Sequence, residues 1–238
     1  MKKLIKKEER RRIVQEIKEA AGVYRSYFVG RKFLFVFDDR YIEISFRKDA
    51  FKHLVGVESD LSANAFYKLA VENKLQDSQL YFSERHPIRS YKKKIAHMKK
   101  LRKLIEDQCF MLEDVVTNTA KFQFATTEGT FTLCMGIDQH SGDERLYIVK
   151  SLRNGDASDK AARKYSITHI FAKRNDEKIY TDLIYATDER VPDYILAKVS
   201  DSIKETLYLM SIPGMTETIL EGMRTPVSEL IPEEKVEW

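Results

Sequence analysis

Lys32-Phe33-Leu34-Phe35-Val36-Phe37, then Asp38-Asp39, then Arg40-Tyr41-Ile42-Glu43-Ile44-Ser45-Phe46: two runs rich in aromatic and β-branched residues flank two acidic turn residues, which is a β-hairpin signal. In the second arm Tyr41, Glu43 and Ser45 alternate with Ile42, Ile44 and Phe46, the period of a strand. The first arm is apolar on both faces. That pattern predicts a strand inside the sheet rather than on its edge.

Working outward, strand patterns recur at Lys121–Phe124, Thr130–Ile137, Leu146–Val149, Tyr165–Phe171 and Lys178–Tyr185, with turn residues at Thr126–Gly129, Asp138–Asp143 and Arg174–Asp176 and a polar loop from Arg153 to Arg163. Helical spacing marks Met1–Gly22, Ser62–Leu75, Pro87–Asp107 and the region from Pro192 onward. Strands in hairpin succession with helices before and after them predict an α+β fold: an antiparallel β-sheet meander with N-terminal, inserted basic and C-terminal helices. The expected organisation is an N-terminal basic helix over 1–24, an α+β domain over 25–187 and a C-terminal helical region over 188–238.

Composition bounds the class. With 43% hydrophobic residues, 9 Gly and 5 Pro in 238 residues, the chain is long enough to bury a core and too apolar to be disordered. No apolar run approaches the roughly 20 residues of a spanning helix, so no membrane partner is expected. Cys109 and Cys134 lack C-x-x-C spacing and no secretory signal pattern opens the chain, which together point to a cytoplasmic location. Glycine-rich phosphate loops, the H-E-x-x-H motif and the G-x-S-x-G elbow are all absent, and the five histidines show no ligand spacing. Neither a cofactor nor a bound metal is expected.

Charge is unevenly spread. Residues 1–105 carry 26 Lys+Arg against 13 Asp+Glu, so the second half is net acidic although the whole chain is only +4. The densest run lies on the Pro87–Asp107 helix, where Arg85, Arg89, Lys92, Lys93, Lys94, Lys99, Lys100 and Lys103 surround an apolar stripe of Ile88, Tyr91, Ile95, Met98, Leu101 and Ile105. Such a surface attracts phosphate and releases condensed counterions, so RNA or a ribonucleoprotein is the expected partner. A solvated charged face, or pairing of basic and acidic halves between copies, fits the same asymmetry.

Two stretches carry candidate chemistry. Phe51-Lys52-His53-Leu54-Val55-Gly56 puts a cation and an imidazole beside a glycine, and Val149-Lys150-Ser151 ends a strand. Histidine titrates near neutrality and can give or take a proton, while lysine stabilises a phosphate anion. A lone histidine between Phe51 and Leu54 is more often a packed, hydrogen-bonded residue.

Phe51–Val57, the Phe66-Tyr67 helix, the Tyr147–Leu152 strand end and the pair of strands after it resemble a phage and prophage family of the Barnase-EndoU-colicin-RelE-like nuclease superfamily, over about residues 25 to 187. The resemblance implies a small α+β enzyme that cuts RNA without a metal, through a 2′,3′-cyclic phosphate. His53 matches the family's HL-x-G histidine and would act as acid or base. Ser151 matches its strand-end serine and would orient, Lys150 would stabilise the phosphate, and Lys52 and Tyr180 are further candidates. The chain departs from the pattern in having Val149 where a proline often stands and in its long basic helix. Those departures leave open a second reading, a phage-derived protein that binds nucleic acid or a ribonucleoprotein without cutting it, such as an inhibitor of a host defence system.

Overall fold

The computed structural model describes residues 7–84, 86–139, 141 and 146–224. Helix α1 (Lys7–Tyr27) continues past Gly22, where the sequence suggested a stop. Ile13, Ile17, Ala20, Ala21 and Tyr24 form an unbroken buried stripe across that glycine. Their packing outweighs the roughly 1 kcal/mol a mid-helix glycine costs. The helix ends where the N–H groups of Phe28 and Val29 both donate to Tyr24 O at 3.1 Å.

The opening hairpin forms as expected, β1 (Arg31–Phe37) pairing antiparallel with β2 (Arg40–Ser45). Asp38 and Asp39 have φ of 49° and 52°, the left-handed pair that a two-residue hairpin turn requires. Next come α2 (Phe51–Val55), α3 (Ala63–Val71), α4 (Ile88–Met98) and α5 (Lys103–Glu106). The predicted Pro87–Asp107 helix is thus two pieces. Between them the N–H groups of Lys100, Leu101 and Lys103 bond three residues back, a tighter turn that keeps Leu101, Leu104 and Ile105 buried.

The remaining strands are β3 (Phe110–Val116), which the sequence patterns did not reveal, β4 (Lys121–Thr127), β5 (Phe131–Ile137), β6 (Leu146–Asn154), β7 (Arg163–Ser166), β8 (His169–Arg174) and β9 (Asp182–Ala186). Three C-terminal helices follow: α6 (Asp193–Leu196), α7 (Asp201–Ser211) and α8 (Met215–Arg224). The nine strands form one sheet in the order β7-β3-β4-β5-β6-β2-β1-β8-β9, with β1 in its interior as its sequence predicts.

The sheet is α+β but not a simple meander. Strands β3 to β6 follow one another, yet β6 then lies parallel to β2, with Glu43, Ile44 and Ser45 opposite Leu146, Tyr147 and Ile148. Parallel pairing needs a long connection, and helices α2 to α5 together with β3 to β5 provide it. The single strand expected over Tyr165–Phe171 is two, because Ile167 N–H donates to Cys109 O and Thr168 N–H to Val36 O. The chain passes there from the β3 edge to β1.

That crossing is short because the sheet curls into a half-barrel. Strands β3 and β1 stand five places apart in the sheet, about 24 Å if it were flat. Instead Phe37 on β1 meets Phe124 of β4 and Tyr165 of β7, each at 5.7 Å between ring centres. Arg40 closes the same gap with two hydrogen bonds to Glu113, at 3.2 and 3.1 Å, and Tyr165 Oη donates to that carboxylate at 3.0 Å. These donors, Arg40 foremost, hold the Glu113 carboxyl below the usual range.

Helices α1 to α5 cover one face of the sheet and enclose the main core. On the other face Ile195, Val199 and Ile203 pack on Leu34, Val36, Phe171 and Tyr180, so the start of the C-terminal region lies on the sheet. Ala157 covers Leu112, Val115, Ala125 and Cys134 nearby. No helix among the described residues is long and apolar enough to cross a membrane.

A basic groove as the candidate active site

Helix α2 is five residues long and stops at Gly56, whose φ of 74° is left-handed and whose N–H donates to Lys52 O at 3.3 Å. Phe51, Leu54 and Val55 are buried, which leaves Lys52 and His53 facing outward. They part at once. Lys52 Nζ donates to Ser59 O and Leu61 O, both at 2.7 Å, and so ties down the following loop. His53 instead lines a groove of about 400 Å³ shared with Ser151, Lys93, Lys94, Arg153 and Lys160.

The other side of that groove is built by β6. Opposite β5, Cys134 pairs with Ser151 and Met135 with Val149, so Lys150 is the extra residue of a bulge. A bulge re-aims its neighbours. Ser151 turns to the groove, whereas Lys150 lies across Gly136 and lines a separate cleft with Arg47, Asp49 and Asp138. The segment after β6, expected as a loose polar loop, forms the groove floor: Gly155 donates to Thr130 O, Ala157 N–H donates to Thr132 Oγ1, and Asp156 Oδ1 caps Ser158 N–H at 2.9 Å. Lys160 reaches the site from here, and Arg153 and Asn154 from the end of β6.

Helix α4 supplies the third wall. Of its cations, Lys93 and Lys94 line the groove. Lys92 pairs with Glu9 at 2.9 Å and Lys99 with Glu19 at 3.6 Å, both acids on α1, while Lys103 pairs with Asp107. Arg89 and Lys100 are exposed and form no ion pair among the described residues; Arg85 lies outside those residues. His97 stacks on Phe131 at 5.0 Å and shares a hydrogen bond with Asn154 Oδ1 at 3.1 Å, which fixes the groove wall.

Lys94 ties α4 to α2. Its Nζ donates to His53 O at 3.0 Å, and its stem passes so close to Gly56 that an added Cβ would stand 2.6 Å from Cδ. Gly56→Ala is therefore expected to lose about 1–2 kcal/mol of stability in urea unfolding, from the left-handed backbone alone, and to push Lys94 aside.

Tyr180 does not join these residues. It is 1% exposed on the other face of the sheet, beside Leu34 and Phe171, in an isolated bridge with Val199. The groove thus unites His53, Ser151, Lys93 and Lys94 from the sequence-derived set and places Lys52, Lys150 and Tyr180 elsewhere. Arg153 and Lys160 escaped the sequence reading, although both follow Ser151 closely; Ser151 itself stands inside β6, which runs on to Asn154 where the sequence suggested a strand end.

Desolvation within the groove, then the charges of Lys94, His86 and Arg153, push the outward-facing His53 imidazole down to about 4. It is neutral at pH 7 and able to accept a proton. Burial, then Arg153, push the Lys94 ammonium down to about 8. Among the described residues no group of three or more His, Cys, Asp or Glu side chains is placed to hold a metal ion.

A family model described as phage-Barnase-EndoU-ColicinE5/D-RelE like nuclease4 matches residues 16–188, which include all strands and every groove residue named above. No curated protein and no solved structure matches the chain.

Proposed function

The chain belongs to this phage Barnase-EndoU-ColicinE5/D-RelE like nuclease family, and we propose that it cleaves RNA in the His53 groove by metal-independent transesterification. The observation that carries this reading is convergence: a histidine from α2 and a serine from β6, far apart in sequence, line one groove with Lys93, Lys94, Arg153 and Lys160. Neutral His53 takes the proton of the ribose 2′-OH, and the 2′-oxygen attacks the adjacent phosphorus. Fixed cations aimed at the phosphate stabilise the charge that builds up on its oxygens. The Ser151 hydroxyl orients a phosphate oxygen, and a 2′,3′-cyclic phosphate is left. The need for a 2′-OH makes RNA the substrate rather than DNA.

The test is cleavage of end-labelled single-stranded RNA in excess EDTA. Wild type is expected to yield cyclic-phosphate ends, and His53→Ala to fall by about 100- to 10,000-fold, the usual contribution of a positioned base. Salt-sensitive binding without cleavage by either protein would instead assign the groove to a nucleic-acid-binding role.

A further inference from the structure

A base alone does not complete the reaction, because the departing 5′-oxygen also needs a proton. We propose that Lys94 is the general acid of this cleavage and protonates the 5′-oxygen as it leaves; the inference rests on the cleavage reading above.

Position comes first. Acid and base must flank a single phosphorus, and Lys94 and His53 enter the groove side by side, joined by the 3.0 Å hydrogen bond from Lys94 Nζ to His53 O. The lysine stem has little freedom because it lies against Gly56. A flexible point charge is thereby held near one place.

The other groove donors are poorer acids. Arg153 has a guanidinium that does not release its proton. Asp156 has its carboxyl held below the usual range, with Ser158 donating to it, and so carries no proton to give at neutral pH. Ser151 is a hydroxyl, too weak an acid for this step. Lys93 and Lys160 are exposed side chains that no contact among the described residues holds against the groove wall beside His53. His97 is occupied by Asn154 and Phe131, and His86, whose charge reaches His53, does not line the groove. Lys94 is partly buried and faces Arg153, and both effects make it a readier proton donor near neutrality.

The step balances. The 2′-OH proton moves to His53, the 2′-oxygen–phosphorus bond forms, and the phosphorus–5′-oxygen bond breaks. Its electron pair leaves on the 5′-oxygen, which takes a proton from the Lys94 ammonium. Imidazolium and neutral amine then exchange protons with water and restore the starting state.

A change of leaving group isolates the acid. Wild type, Lys94→Ala and Lys94→Arg would be compared on a uridine-containing dinucleotide and on uridine 3′-(4-nitrophenyl phosphate), whose nitrophenolate leaves without protonation. Both variants are expected to lose about 100-fold or more on the dinucleotide and far less on the nitrophenyl ester. Wild type should show an alkaline limb near pH 8 on the dinucleotide alone. Arginine keeps charge and stem, so the comparison survives a folding defect in Lys94→Ala. Restored dinucleotide cleavage by Lys94→Arg, or equal losses on both substrates, would make Lys94 a phosphate stabiliser and overturn the inference while leaving the nuclease reading intact. Wild type cleaving neither substrate would overturn the nuclease reading itself and the inference with it.

Discussion

Tyr24→Ala is expected to lower stability by about 3–5 kcal/mol, the usual cost of emptying a large aromatic site in a core. Tyr24 is fully buried, and its ring meets Phe28, Phe46, Phe51 and Tyr67 at centre distances between 5.4 and 6.2 Å. Those partners come from the end of α1, the end of β2, α2 and α3, so one side chain ties four pieces of chain together. Its hydroxyl also donates to Arg47 O at 3.0 Å. Tyr24→Phe keeps the ring and removes only that bond, so it should cost about 1 kcal/mol. Urea unfolding of both variants measures the difference. A loss for Tyr24→Ala no larger than that for Tyr24→Phe would mean that the aromatic cluster does not hold the helices to the sheet. The cluster also seats α2, so RNA cleavage by a surviving Tyr24→Ala protein should fall with stability, because His53 would lose its fixed position.

The parts of this fold that are legible in the sequence are those encoded locally. The period of two in Arg40–Phe46 and the paired aspartates give the hairpin, and no distant residue is needed to read them. The short motifs around His53 and Ser151 can be read locally too, but that the two line one groove cannot. The parallel junction of β2 with β6 is not legible locally, since three residues of each strand meet after about a hundred residues of intervening chain. Strand β3 was hidden because Glu113 points inward to Arg40 while Asp114, with φ of 55°, breaks the alternation that marks a strand. Lys150 parts from Ser151 for a related reason. Sequence alternation assumes regular pairing, and one bulge residue sends its side chain to a different cleft from that of Ser151. The basic helix was visible as a charge run, but which of its cations line the groove depends on how α4 is rotated against α1. Glu9 and Glu19 claim Lys92 and Lys99 and leave Lys93 and Lys94 to the groove.

A buried histidine outside the groove is expected to make the fold sensitive to acid. His169 is 1% exposed, its Nδ1 lies 3.1 Å from Thr168 Oγ1, and its Nε2 has no hydrogen-bond partner among the described residues. Burial pushes this imidazole down to about 4. The folded state therefore holds it neutral, while the unfolded chain takes up a proton below about 6.5. Since the folded pKa is the lower one, the stability it contributes is fully present above about pH 6.5 and is lost as the pH falls toward 4. The displacement corresponds to about 3 kcal/mol for a group this enclosed. His169→Phe keeps a ring stacked against Phe171 and removes the titration, so its urea midpoint should change much less than that of wild type between pH 6.5 and 4.5. An unchanged pH dependence in the variant would locate the acid sensitivity elsewhere. The same variant separates two effects expected to be superimposed in wild type: under the proposed mechanism His53 also loses its basic form near pH 4, so cleavage at low pH should fall through both protonation of the base and loss of the fold. In His169→Phe less of the acid limb should come from unfolding, and the remainder is expected to follow protonation of His53 more closely.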